Sequence, residues 1–502
     1  MKQRLAPVFT DPVVAGLLLL ALGLRLLWLP ERTLWYDEAY GTLISAHPLG
    51  DIWALAGNDV HPPFYYFCVH LAMAWFGDSL WAIRGVSVLA GTLTVLLAGY
   101  WVRLFASRRA MLVALLLLAM QPMAVRYSQE ARMYALLALW LVAAGLLLSL
   151  WQRRPQHWRY PLLYALVTAA AMYTHYFAIM GLASFWAYAL LTTRGRARLL
   201  RNPRWWLANL LAALLYLPWL PHLWQQLHMP EDLEWIPPLT LATVPTTLWE
   251  FFWILDKPLA DLPPLWLLVP LLLGWSLWRL RGAQRGGDRH LLTLLALLPL
   301  ASACLLCLIQ PLFVARYLSF CAIPMVLLVA LAIDAQWQRN ARVAGLLLVV
   351  VCAVQAAGLA NGYQYGELLD SPQGDRSGVG PLAEQIRQHW RPGDETVVYA
   401  DDAYMSALYY LRHHPLPWYW LNQGGAPPDN DGDATLLYEL PRPPWLWQYQ
   451  QLPTGTCGVW LVYDAGDSPP LPPPGEWTVM LHRKVYDNEM QYFRRRSCGW
   501  TH

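Results

Sequence analysis

The chain has 502 residues, of which 57% are hydrophobic and only 14% are charged. A soluble globular protein carries about a quarter of charged residues, and the 29 Trp and 26 Tyr residues of this chain favour the interfaces of a lipid bilayer. This composition excludes an ordinary soluble protein and predicts a multi-pass membrane protein. The net charge of +3 gives no reason to expect a nucleic-acid partner.

The N-terminus resembles the start of a membrane-targeting segment. Lys2 and Arg4 precede a long apolar run, as in a secretory signal peptide. Arg25 and Trp28 stand where a cleaved signal peptide carries small residues. We therefore predict an uncleaved first membrane helix with its N-terminus in the cytoplasm.

Apolar runs recur along the first two thirds of the chain. A bilayer-spanning helix needs about 20 apolar residues, and on that basis we predict about eleven transmembrane helices. The predicted segments are residues 12–30, 84–103, 110–125, 133–151, 160–176, 177–193, 206–222, 262–280, 290–309, 317–335 and 343–361.

The apolar stretch 63–77 is not among the predicted transmembrane helices, because it is too short. As a helix it reaches about 22 Å, which is short of a hydrocarbon core of about 30 Å. If it lies in the interface without crossing, the Arg-rich loops all face the cytoplasm, as basic loops generally do. We therefore predict a multi-pass protein of the bacterial inner (plasma) membrane, with its C-terminal domain outside the cytoplasm.

The predicted organisation has two domains. Residues 1–361 form an all-α polytopic membrane domain, whose long first outer loop, residues 31–83, contains interfacial helices at 49–56 and 63–77. Residues 362–502 are richer in Gly, Pro, Asp and Asn and form a soluble extracytoplasmic α/β domain. Its predicted strands are 396–399, 458–463, 477–481 and 490–496, and its predicted helices are 383–389 and 404–412; no regular structure is predicted for 424–446 or 469–474.

A pair of carboxylates follows the first membrane helix. Asp37 and Glu38 stand between aromatic residues in the stretch LWYDEAY. A carboxylate at the rim of a bilayer is energetically costly unless it is hydrated, paired with a cation or part of a functional site. The pair therefore belongs either to a hydrated loop that ends the helix or to a functional site.

Three further stretches favour the functional interpretation, because the predicted topology brings them to the same outer face as Asp37. They are His61-Pro62-Pro63, the segment YSQEAR at residues 127–132, and Arg316-Tyr317. His175, at the end of another predicted helix, lies on the same face.

As a set, these motifs resemble those of the C-type (GT-C) glycosyltransferases, which are integral-membrane enzymes that take a sugar from a polyprenyl-phosphate donor. The resemblance covers roughly residues 10–335 and is closest to the bacterial branch grouped with protein O-mannosyltransferases and the lipid A aminoarabinose transferase. It implies a GT-C-like fold and a site facing away from the cytoplasm. The partners it implies are a polyprenyl-phosphate sugar, membrane lipids, and an acceptor that is a glycan, a lipid or a protein.

The residue types fit this chemistry. Asp37 matches the family's general base, which takes the proton of the acceptor hydroxyl, and Glu38 shares that role or sets its pKa. Arg132 and Arg316, with Tyr317, suit the phosphate leaving group, because a guanidinium binds phosphate in a bidentate way. Glu130 orients Arg132 or holds a sugar hydroxyl. The resemblance implies a single displacement that inverts the anomeric configuration.

Other interpretations of these residues stay open. Arg132 and Arg316 also suit anchoring to lipid headgroups, and polar packing explains His61 and His175 as well as substrate binding does. Tyr127 stacks on a sugar or belongs to the aromatic belt. A divalent cation near Asp37 is compatible with hard-ligand preferences, although no complete set of metal ligands is visible.

Two rival functions are less consistent with the sequence. A polytopic lipid or sugar transporter, or a flippase, places ionisable residues at the middle of the bilayer, whereas here the acidic residues gather at one rim. In the other rival, the outer domain alone is functional and the membrane part is an anchor, for which about eleven spans are far more than needed.

Cysteine usage differs between the two predicted domains. Cys304 and Cys307 lie in an apolar span, where small membrane-helix residues are a better explanation than a zinc site. Cys457 and Cys498 are the only cysteines of residues 362–502. Because the predicted compartment is oxidising, we predict a disulfide between them; two separate buried thiols are the alternative.

Overall fold

The computed structural model describes residues 10–191, 199–228, 236–253, 267–281, 287–365, 377–399, 401–412, 418–421, 436, 445–446 and 448–498. The chain forms two compact units. The first unit comprises Met1–Leu29 and His61–Gly374, and the second comprises Pro30–Val60 and Asp375–His502. Most of the predicted first outer loop therefore groups with the C-terminal part of the chain, while the domain bounds 1–361 and 362–502 stay a prediction.

The first unit is helical. Its α-helices are α1 (Pro12–Leu26), α4 (Phe64–Phe76), α5 (Leu80–Phe105), α6 (Arg108–Ala119), α7 (Pro122–Arg126), α8 (Tyr134–Arg153), α9 (Arg159–Thr174), α10 (Ala178–Leu191), α11 (Pro203–Tyr216), α12 (Leu220–Gln226), α13 (Thr243–Phe252), α14 (Leu268–Arg279), α15 (Gly287–Leu306), α16 (Ala322–Trp337) and α17 (Ala341–Tyr365). Short 3-10 helices occupy Leu199–Arg201, Leu217–Trp219 and Ala315–Cys321.

Six helical segments among the described residues are long and apolar enough to cross a membrane. They are Leu80–Phe105, Tyr134–Arg153, Pro203–Gln226, Gly287–Leu306, Ala315–Trp337 and Ala341–Tyr363. The other predicted segments contain shorter helices, and part of 262–280 lies outside the described residues. The predicted polytopic all-α membrane domain is confirmed, whereas the number of crossings and their direction stay predictions.

Local sequence signals explain where several of these helices begin and end. Asp11, Ser79 and Ser107 each accept a hydrogen bond from a backbone N–H of the first turn, at α1, α5 and α6 respectively. Helix α4 ends at Gly77, whose φ of 78° is easy only for glycine. Helix α4 coincides with the stretch for which an interfacial helix was predicted.

Ion pairs join the basic segments at one end of the first unit. Arg108 lies 2.7 Å from Asp11, and the Arg109–Asp334 pair has the same separation. Arg153 pairs with the buried carboxylate of Asp288. The segments bearing these arginines, which were predicted to face the cytoplasm, therefore lie close to acidic partners on other helices.

The second unit combines helices with a six-stranded sheet. Its helices are α2 (Tyr36–Ser45), α3 (Leu49–Gly57), α18 (Val379–His389) and α19 (Asp401–Leu411). Its strands are β1 (Asp394–Val398), β2 (Trp418–Leu421), β3 (Trp445–Leu446), β4 (Gly458–Asp464), β5 (Trp477–Val485) and β6 (Asn488–Arg495), in the order β3-β2-β1-β4-β6-β5. Strands β3, β2, β1 and β4 run parallel, and β6 is antiparallel to both β4 and β5.

The predicted α/β character of the C-terminal region is confirmed. The six elements predicted there occur within a few residues of their expected bounds, and α3 coincides with the other predicted interfacial helix. Strands β2 and β3 were missed, and β3 lies in the stretch 424–446 for which no structure was predicted. The buried faces of β1, β4 and β6 form the core of the sheet through Val397, Val459, Leu461 and Phe493.

The predicted disulfide is present. Cys457 and Cys498 are joined with an S–S distance of 2.04 Å and lie 41 residues apart in the sequence. Closing a loop of this length stabilises a fold by about 3–4 kcal/mol in the chain-entropy model. Cys304 and Cys307 are free thiols, as expected of small residues in an apolar helix.

Candidate functional site

The segment YSQEAR forms a buried turn between α7 and α8. The Ser128 hydroxyl accepts a hydrogen bond from Arg25 Nε at 3.1 Å, and Gln129 Nε2 donates to the Leu27 carbonyl at 2.7 Å. Since carbonyls at a helix end lack partners within the helix, Gln129 completes the C-terminus of α1. Two polar residues of the motif therefore dock it onto the first helix.

Arg25, whose side chain is fully buried, explains part of this docking. Its guanidinium donates to the carbonyls of Ala21 and Ala119 at 2.9 and 3.4 Å. Ala119 is the last residue of α6, where the helix dipole favours a cation. Arg25, which in the sequence indicated an uncleaved first helix, thus connects α1, α6 and Ser128.

Arg132 is held at the end of the same turn. Its carbonyl accepts a hydrogen bond from the Ser87 hydroxyl at 3.1 Å, and Ser87 is hydrogen-bonded to Tyr65 at 2.8 Å. Its side chain is almost fully buried. A buried guanidinium requires compensating interactions or a functional use.

Aromatic and imidazole rings lie together beside this turn, in a group that we call the ring cluster: His61, Tyr127, Tyr134, His175 and Tyr317. The His175 ring centroid lies 4.9 Å from that of Tyr317, 5.5 Å from that of His61 and 6.0 Å from that of Tyr134. Tyr127 contacts Tyr134 at 4.9 Å. Four of the five were predicted as site residues; Tyr134 was not.

Arg316 adjoins the ring cluster. Its guanidinium carbon lies 5.5 Å from the ring centroid of Tyr317, within the range of a cation–π contact. The predicted residues His61, Tyr127, Arg132, His175, Arg316 and Tyr317 are thus brought together within the first unit.

The electrostatics of the ring cluster favour neutral histidines. The His175 ring is neutral, because its Nδ1 accepts a hydrogen bond from a backbone N–H. Burial, Arg132, His175 and Arg316 hold the pKa of His61 well below its usual range. At neutral pH the positive charge of this group therefore resides on the two guanidinium groups.

The hydrogen bonding of His175 defines its tautomer. Its Nδ1 accepts a hydrogen bond from the backbone N–H of Phe177 at 3.0 Å, so the ring proton of the neutral form resides on Nε2. That nitrogen is buried and has no hydrogen-bond partner among the described residues. His175 therefore offers a neutral N–H donor beside two cations.

Glu130 has a partner that the sequence analysis missed. Its Oε1 lies 2.7 Å from Nη2 of Arg126, and both side chains are almost fully buried. The four-residue spacing of the two opposite charges was the signal that could have found this pair. The predicted catalytic or orienting role of Glu130 stays a prediction.

The predicted base lies in the second unit. Asp37 and Glu38 occupy the first turn of α2, with Asp37 partly exposed and Glu38 buried. The positive end of a helix dipole stabilises an ionised carboxylate there. Neither residue belongs to the compact unit that contains the ring cluster.

Metal binding was left open by the sequence. Among the described residues, no group of three or more His, Cys, Asp or Glu side chains could hold a metal ion. The divalent cation near Asp37 stays a prediction.

A protein-family model matches part of the chain. The family model described as dolichyl-phosphate-mannose-protein mannosyltransferase matches residues 60–222, the part of the chain that contains His61, the YSQEAR segment and His175. No curated protein sequence matches the chain.

Solved structures show the fold. ArnT from Cupriavidus metallidurans, solved in the apo state, has a TM-score of 0.62 and 16% identity, with 97% of this chain and 98% of that chain covered. ArnT bound to undecaprenyl phosphate gives the same TM-score at 17% identity. The oligosaccharyltransferase AglB from Archaeoglobus fulgidus, with an inhibitory peptide and a dolichol-phosphate, has a TM-score of 0.52 and 14% identity over 90% of this chain and 69% of that one. The chain has a GT-C fold, and its predicted resemblance to C-type glycosyltransferases is confirmed.

Proposed function

We propose that this protein transfers a sugar from a polyprenyl-phosphate-linked donor to a hydroxyl of an acceptor at the extracytoplasmic face of the bacterial inner membrane. The observation that carries the proposal is the placement of Arg132 and Arg316 around His61, His175 and Tyr317 in the first unit. Two guanidinium groups suit the polyprenyl phosphate leaving group, which gains a second negative charge as it departs.

The similar proteins support the same class of donor. ArnT was solved bound to undecaprenyl phosphate, and AglB was solved with a dolichol-phosphate. Both ligands are polyprenyl phosphates, the product that this reaction would leave. The transferred sugar in this proposal is a hexose or a pentose.

The proposed reaction forms one bond to the anomeric carbon and breaks another, and it requires no redox step. The acceptor oxygen attacks the anomeric carbon, and the bond between that carbon and the donor phosphate oxygen breaks. The acceptor proton passes to the carboxylate of Asp37, and the polyprenyl phosphate leaves. Because one displacement occurs, the anomeric configuration inverts.

Arg132, Arg316 and Tyr317 would stabilise the charge that develops on the leaving phosphate. The Nε2–H of His175 adds a neutral donor at the same place, which stabilises an anion without further mutual repulsion among cations. Tyr127 and His61 would contact the sugar or the phosphate. Glu38 would assist Asp37, and Glu130 would maintain the YSQEAR turn through Arg126 or take part in catalysis.

The proposal is tested with purified protein and polyprenyl-phosphate sugars carrying a radiolabel in the sugar. Release of polyprenyl phosphate together with transfer of label to an acceptor fraction is the expected result. Movement of intact labelled lipid between the leaflets of a reconstituted vesicle, with no cleavage of the glycosyl phosphate, would instead support the transporter alternative.

A further inference from the structure

The segment that carries Asp37 is attached to the C-terminal domain. Helix α2 packs against α19 within the second unit. Both backbone groups of Leu34, three residues before Asp37, are hydrogen-bonded to side chains of α19. The Leu34 N–H donates to the Tyr410 hydroxyl at 2.9 Å, and the Leu34 carbonyl accepts from the Ser406 hydroxyl at 3.0 Å.

The hydrogen bond from Ser406 is buried, and the one to Tyr410 is partly buried. Leu34 and Ser406 are each 0% exposed. A buried backbone group that loses its partner is costly, by about 1–3 kcal/mol. The two bonds therefore restrain the position of the Leu34 peptide groups more strongly than a pair of exposed bonds would.

A second contact fixes the preceding residue. The Thr33 hydroxyl donates to the carbonyl of Ser377. Gly380, at the start of α18, faces the same place: a Cβ there would lie 2.7 Å from Thr33 Cγ2 and 3.1 Å from Tyr410 Cζ. The close approach of α18 to the Thr33 segment therefore requires a glycine.

The contacts of Thr33 and Leu34 constrain the backbone where the chain enters α2. Helix α2 begins at Tyr36 with Trp35 as its N-cap, and the N-cap side chain makes no capping hydrogen bond. The direction in which the chain enters α2 is instead constrained by the bonds at Leu34 and Thr33. Since a misplacement of about 1 Å can reduce a rate by about 10²-fold, these bonds bear directly on a base located one turn further on.

We infer that the C-terminal domain positions Asp37, and that Ser406 and Tyr410 are positioning residues that act through the backbone of Leu34. This inference rests on the proposed function, because it assumes that Asp37 is the base. It assigns a task in the transfer reaction to residues 401–412, which lie outside the part of the chain matched by the family model.

The test compares Ser406→Ala, Tyr410→Phe and the double variant of the full-length protein in the transfer assay. We expect kcat to fall about tenfold in each single variant and about 10²-fold in the double variant, while the KM for the donor and its binding to the protein stay unchanged. Tyr449→Phe is the matched control, because it also removes a tyrosine hydroxyl that is hydrogen-bonded to the backbone of the second unit: the Tyr449 hydroxyl donates to the Pro470 carbonyl at 2.9 Å. It should leave kcat unchanged.

The decisive comparison is made in the Asp37→Asn background. If Ser406 acts through Asp37, Ser406→Ala should cause no further loss of the residual rate there. A full additional tenfold loss would contradict the inference, as would wild-type kcat in Ser406→Ala and Tyr410→Phe when Asp37→Asn is strongly impaired. Wild-type turnover by Asp37→Asn would instead overturn the base assignment in the proposed function.

Discussion

Arg126 and Glu130 form a buried ion pair in which Nη2 and Oε1 lie 2.7 Å apart. The pair spans the turn that carries Tyr127, Ser128 and Gln129, and it lies two residues before Arg132. A carboxylate that sequence analysis assigned to chemistry thus also has a structural partner. The two roles are separable by mutation.

Replacing Glu130 by Gln should leave the Arg126 charge buried without its carboxylate and reduce the free energy of unfolding by about 3–5 kcal/mol. The double variant Arg126→Gln/Glu130→Gln removes both charges and should recover most of that loss. Thermal unfolding in detergent measures both effects. A single variant as stable as the wild type would contradict the structural role, and a folded but inactive double variant would assign a catalytic role to the Arg126–Glu130 pair.

Asp37→Asn should fold normally and reduce transfer by about 10²-fold or more, because the amide cannot accept the acceptor proton. Asp51→Asn is a suitable control, since Asp51 lies in the first turn of the neighbouring helix α3 and no role in transfer is proposed for it. The measurement is single-turnover transfer at saturating donor. Near-normal turnover in well-folded Asp37→Asn protein would exclude it as the base.

Arg316→Ala should weaken the binding of polyprenyl phosphate, and Arg316→Lys should restore only part of the affinity, because an ammonium lacks the bidentate geometry of a guanidinium. Titration with polyprenyl phosphate measures the effect independently of catalysis. Arg342, an exposed residue of α17, provides a control substitution to Ala. Unchanged affinity in Arg316→Ala would favour the interpretation of this residue as a headgroup anchor.

The pH dependence of stability should reflect the buried histidines. The folded-state pKa of His61 lies well below its usual range, whereas the unfolded chain takes up the proton near the ordinary value of about 6.5. Between these values the unfolded state binds more protons, so the free energy of unfolding should decrease as the pH falls below about 6.5. His61→Gln, which does not titrate, should show a shallower decrease in Tm. Identical pH profiles of Tm for the two proteins would contradict a neutral buried His61.

Topology is tested by cysteine labelling at two exposed sites of the first unit. Ser79, before α5, is predicted to lie outside, and Gln156, between α8 and α9, is predicted to lie in the cytoplasm; both are exposed. Impermeant maleimide applied to intact cells should label Ser79→Cys and should leave Gln156→Cys at the background of the wild-type protein. The reverse pattern would invert the predicted orientation. Ser128 is unsuitable for this experiment because it is fully buried.

The amino-acid sequence alone was sufficient for much of the fold. Apolar runs located the helices of the membrane domain, because a bilayer imposes a length and a composition on any segment that crosses it. The alternating and β-branched runs of the C-terminal region located β1, β4, β5 and β6, and the compartment predicted for Cys457 and Cys498 indicated their disulfide. Motif resemblance selected the residues that the structure groups around His175 and Tyr317.

Only the tertiary structure decided which partners those residues have. The docking of Ser128 on Arg25 and the attachment of Leu34 to Ser406 join positions whose contacts no local pattern specifies; the Ser406 contact spans 372 residues. Strands β2 and β3 escaped prediction because they are only four and two residues long, too short to show a period. Hydropathy reports where a segment lies relative to the bilayer, whereas the choice of a polar partner depends on packing between segments far apart in the chain.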